Sequence, residues 1–73
     1  MITERVTSET TTRIIAEAKG VCGKAVRITL ASGETLDAFK VSYNRPDGRR
    51  VGIYTTDTAE CSAVYNREVG RIG

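Results

Sequence analysis

From Val26 onward the apolar residues of this chain recur at every second position, and that alternation constrains the fold more than any other feature. Val26, Ile28 and Leu30 alternate with Arg27, Thr29 and Ala31, the pattern of a strand with one buried face. Ser32-Gly33 then makes a tight turn, with the glycine free to take positive φ. A second stretch runs from Glu34 to Tyr43, with Leu36, Ala38, Lys40 and Ser42 on one side and Phe39, Val41 and Tyr43 on the other. Its inward side switches near Ala38, as a bulge or sharp bend in a curling sheet requires. Asn44-Arg45-Pro46-Asp47-Gly48 is the strongest turn signal present. Beyond it Val51, Ile53 and Thr55 alternate again.

The flanking segments complete the expectation. Ser8 suits an N-cap, Glu9 places a negative charge in a first helical turn, and Ile14, Ile15 and Ala18 follow at helical spacing before Gly20 as a stop. The β-branched run Thr10-Thr11-Thr12 opposes this by roughly a few tenths of a kcal/mol per residue. These signals predict a helix over 8–19 after a loose arm over 1–7. The polar stretch Thr56 to Glu60 is expected to lead into strands over 60–65 and 68–72, with a turn at Asn66-Arg67. The expected fold is therefore mainly β: an N-terminal α-helix followed by a five-stranded, strongly bent antiparallel sheet or open barrel. Its strands cover 25–31, 34–43, 49–56, 60–65 and 68–72 of a single domain over 8–73.

Composition narrows the function classes. Seventy-three residues bury only about 60% of their unfolded surface, which leaves a small core and no room for a catalytic lobe. A net charge of +2 does not by itself indicate nucleic acid. The distribution says more: Arg45, Arg49 and Arg50 surround one turn, and Arg67 and Arg71 lie near the end. There is no histidine, and Cys22 and Cys61 are far apart, so no one-chain zinc site is expected. No apolar run reaches the roughly 20 residues of a membrane span. Both cysteines read as reduced thiols of a cytoplasmic protein, although a disulfide between them is possible in principle.

The segment Val26-Arg-Ile-Thr-Leu-Ala-Ser-Gly-Glu-Thr-Leu-Asp-Ala resembles the first motif of Sm and Sm-like proteins, with Gly33 at the turn glycine and Ala38 at the bend. Val64-Tyr-Asn-Arg-Glu-Val-Gly-Arg-Ile72 resembles the second, with Val69 and Ile72 at its apolar pair. The spacing is also similar to that of Rof-like variants, which act on a protein, and SH3-like barrels share the strand pattern. The family's usual arginine–glycine step, its bacterial lysine–histidine signature and its first-loop asparagine are not reproduced. The resemblance implies a barrel that assembles into a homo-oligomer through strand edges, with two loops converging on one face.

Those loops would carry Tyr43, Asn44 and Arg45 in one and Tyr65, Asn66 and Arg67 in the other. Aromatic, amide and arginine are the side chains that stack, hydrogen-bond and charge-pair with single-stranded RNA. The alternative for each is structural: asparagine serves its own turn and tyrosine packs in a half-buried strand. Glu34, Asp37 and Asp57 offer no evident carboxylate pair, and neither thiol has a base beside it, so no enzyme and no cofactor are expected. The leading reading is a non-enzymatic RNA-binding homo-oligomer. The alternative is a regulatory module of bacterial or phage type that blocks a larger protein partner with its helix or a strand edge.

Overall fold

The computed structural model describes residues 2–72; Met1 of the expected arm and Gly73 of the expected domain lie outside them. Four strands, β1 (Val6–Ala18), β2 (Val21–Leu30), β3 (Thr35–Asn44) and β4 (Arg50–Thr55), form an open antiparallel meander in the order β1-β2-β3-β4. One helix, α1 (Thr58–Ile72), follows the sheet. The expected helix-first, five-stranded fold is thus overturned at both ends. Residues 8–18 are strand and Lys19 is in a turn, and the two strands expected at 60–65 and 68–72 are one helix.

Both reversals have local causes. Residues 6–15 carry seven β-branched side chains, namely Val6, Thr7, Thr10, Thr11, Thr12, Ile14 and Ile15, which favour a pleated surface. Gly20 uses its positive φ of 78° beside Lys19 at 53°, the pair of left-handed residues that a two-residue hairpin demands. It therefore joins β1 to β2 and ends no helix. At the other terminus Asp57 is an N-cap: its Oδ1 accepts from the Ala59 N–H at 2.9 Å, while its carbonyl accepts the first helical bond from Cys61 N–H at 3.0 Å. Glu60 stands three residues on, the capping-box spacing. Cys61, Val64, Tyr65 and Val69 then face the sheet at helical spacing.

The sheet has two covered halves, on opposite faces. Near the β1–β2 hairpin, Val21 and Val41 pack under Cys61 and Val64, with Phe39, Tyr43, Ile53, Tyr65 and Val69 around them. Beyond Ala25 the burial changes side. Val26, Ile28, Leu30 and Ala38 form a second cluster, closed by Ile2, Val6, Leu36 and Tyr54. The change falls at one level in both strands, since Ala25 pairs with Phe39 and Val26 with Ala38. No helix covers the second cluster; instead the N-terminal segment crosses to β4, where the Ile2 N–H donates to the Tyr54 carbonyl at 2.8 Å.

β1 owes its bend to bulges. Its register with β2 shifts between Val6 and Ser8, between Thr11 and Arg13, and between Ile14 and Ala16, each inserting an extra residue that adds twist. At two of them the extra residue bonds back to β2: Thr7 Oγ1 donates to the Thr29 carbonyl and Thr12 Oγ1 to the Ala25 carbonyl, both at 3.1 Å. Bulges also blunt an edge against pairing with another strand. The strand edges expected to join a homo-oligomer are those of β1 and β4; β1 is irregular, and on β4 the Tyr54 carbonyl already accepts from the Ile2 N–H.

Candidate functional site: the basic end of the sheet

Three segments meet at one end of the molecule: the Lys19-Gly20 hairpin, the Arg45–Arg49 turn and the last turns of α1. Arginines join them. Arg50 Nη1 donates to the Gly20 carbonyl at 2.8 Å and lies 3.5 Å from Asn44 Oδ1. Arg71 Nη2 donates to the Asn44 carbonyl at 2.6 Å. The turn itself is fixed by Gly48 at φ 88° and by Asp47 Oδ1, which accepts from the Arg49 N–H at 3.0 Å.

Lys19, Arg45, Arg49, Arg50, Arg67 and Arg71 are therefore gathered against the carboxylates Glu17, Asp47 and Glu68. Glu68 is spent internally. Its side chain is only 7% exposed and pairs with Arg71 at 2.7 Å and Arg67 at 3.1 Å. The hydrogen bond from Arg71, opposed by burial and helped by Arg67, holds this carboxyl below its ordinary value. Lys19, Arg45 and Arg49 are exposed and form no ion pair among the described residues. The opposite end is the reverse in sign: Glu4, Glu34 and Asp37 lie around the Ser32-Gly33 turn with Arg5 and Arg27.

The two triplets expected to touch RNA are divided by the structure. Tyr43 and Tyr65 come together, but half-buried in the cluster beneath α1; a carbon added at Gly23 would lie 3.5 Å from the Tyr65 ring. Asn44 supports the Arg50 and Arg71 contacts. Arg45 is exposed in the turn, Arg67 is exposed on the helix, and Asn66 lines a groove beside β1. The polar members reach the surface and the aromatic members face the core.

A second constellation escaped the sequence. Glu9 of β1 extends beneath the sheet to Lys40 of β3 at 3.0 Å and Lys24 of β2 at 3.5 Å, and its Oε1 accepts from the Tyr54 hydroxyl of β4. Burial disfavours its charge, but the bonds from Tyr54 and Lys40 and the two lysine charges prevail and hold the carboxyl below its ordinary value. The Lys40 stem crosses Gly52, where an added carbon would meet Lys40 Cε at 2.5 Å and displace the end of this flexible side chain. This is a clip joining all four strands, and no helix-based reading of residues 8–19 could have found it.

Cys22 and Cys61 are free thiols, and no group of three or more His, Cys, Asp or Glu among the described residues is placed to hold a metal. No helix there is long and apolar enough to cross a membrane. Comparison with family models, with curated proteins and with solved structures gave no match.

Proposed function

We propose that this domain binds single-stranded RNA through its phosphates, without catalysing a reaction, at the end formed by Lys19, the Arg45–Arg49 turn and Arg71. The observation that supports the reading is the convergence of three separate segments on Asn44, which presents exposed cations at one end while carboxylates gather at the other. Phosphate attraction then supplies most of the affinity. Sequence preference is weak, because Tyr43 and Tyr65 are committed to packing and are not free to stack bases. Self-assembly is not required.

Fluorescence anisotropy of a labelled uridine-rich oligonucleotide tests the reading. With three free cations engaged, log affinity should fall against log salt with a slope of about −2. Arg45→Glu with Arg49→Glu should weaken binding at least roughly tenfold at low salt while the fold stays intact. Absence of binding at low salt, or binding indifferent to the double substitution, refutes it.

A second reading, a regulatory module acting on a larger protein in the cytoplasm, is favoured by Ile14 and Ile15, which are 60% and 47% exposed on neighbouring positions of β1. It predicts one dominant protein recovered by pull-down, lost on Ile14→Ser with Ile15→Ser. Recovery of the same partner by that variant counts against it.

A further inference from the structure

α1 packs on β2, β3 and β4 and leaves most of β1 uncovered. Between the helix and β1 runs a groove of two adjoining depressions, about 250 and 90 Å³, with Ile15 and Cys61 bordering both. Phe39 and Tyr65 supply its apolar walls, Arg13 stands at one end and Asn66 at the other. Each depression lies below the roughly 300–1,000 Å³ of a small-molecule site, and the larger suits one large apolar side chain.

Two side chains of this groove remain exposed outside the core. Ile15 is the extra residue of the bulge between Ile14 and Ala16, and bulges re-aim side chains; here the result is an isoleucine 47% exposed on the groove. Arg13 is exposed at the rim and forms no ion pair with any described residue. Asp57, which precedes the Thr58 of the groove, uses its carboxylate to cap the Ala59 N–H.

We infer that this groove binds an extended segment of a partner protein carrying a large apolar side chain next to a carboxylate. The apolar group lies on Phe39 and Tyr65 and removes Ile15 from water, and the carboxylate pairs with Arg13. A basic segment is rejected by the same arginine. A nucleic-acid backbone has no group for the apolar floor. The inference rests on the second reading above and not on the basic end.

Amide chemical-shift titration of the full chain tests it, using an acetylated tetrapeptide with phenylalanine followed by aspartate as probe. Saturable shifts are expected at residues 13–16 and 61–66. They should weaken on the order of tenfold in Arg13→Glu, in Ile15→Ser, and when lysine replaces the aspartate of the probe. Retained amide dispersion shows that the variants fold. Shifts that are absent at millimolar peptide, or indifferent to Arg13→Glu, overturn the inference. So do concentration-dependent shifts of residues 13–16 without peptide, which identify a second copy as the occupant. RNA binding that persists after either failure leaves the basic end unaffected. A pull-down partner that persists places the protein contact outside the groove.

Discussion

The two ends of this sheet solve one problem in different ways. At the hairpin end, a helix lays Cys61, Val64, Tyr65 and Val69 over Val21 and Val41, and its surroundings are basic. At the far end, the chain covers Val26, Ile28 and Leu30 with its own N-terminal segment, and its surroundings are acidic. Apolar burial needs only complementary shape, so the helix end is secured by packing. The far end needs β1 to bend, and bending consumes ladder bonds, which threonine hydroxyls and the Glu9 clip replace. Both ends carry a carboxyl held below its ordinary value, Glu68 on the helix and Glu9 in the clip. Only the Glu9 clip ties all four strands to pH and salt.

The sharpest way to break the comparison is Val64→Asp. Val64 is 6% exposed at the centre of the helix contact. A carboxylate there should cost on the order of 4 kcal/mol, comparable with the whole stability of so small a chain. Loss of the near-ultraviolet signal and of cooperative urea unfolding checks it.

Glu9→Gln should act less severely, at about 1–2 kcal/mol near neutral pH, by leaving Lys24 and Lys40 without their carboxylate. The pH dependence has a definite sign. Because the folded state lowers the Glu9 pKa, its contribution is present above the ordinary carboxyl value of about 4 and is lost as pH falls through the lowered one. Urea midpoints of parent and variant should therefore converge in acid. A constant difference down to about pH 2 contradicts the clip.

How much of this was legible in the sequence follows the same division. β2 and β3 alternate on either side of a single switch at Ala25–Val26 and Ala38–Phe39, and Gly33 and Gly48 both take positive φ, at 94° and 88°. β1 does not alternate strictly, because each bulge shifts its parity; Ile14 and Ile15 therefore fall side by side and mimic a helical stripe. In α1 the stripe Cys61, Val64, Tyr65, Val69 was visible, as was Asp57 three residues before Glu60. Glu68 interrupts that stripe with a charge, and only the folded chain reveals that Arg67 and Arg71 neutralise it. The clustering of arginines was likewise legible as composition around one turn, whereas the burial of Tyr43 and Tyr65 depends on a helix that alternation concealed.

The smallest expected effect isolates the bulges. Thr12→Val keeps the β-branched shape and removes the hydroxyl bond to the Ala25 carbonyl. The loss should be about 0.5 kcal/mol, or roughly 2–4 °C in melting temperature. An unchanged melting temperature would mean that the bulge is held by its backbone alone.

The most direct measurement is amide chemical-shift mapping of the whole chain titrated with single-stranded RNA at low salt. The account predicts shifts gathered at Lys19-Gly20, at Asn44 to Arg50 and at Arg67 to Arg71, vanishing as salt rises, with residues 31–37 silent. No shifts at all, or shifts centred on the Ser32-Gly33 end, would contradict it.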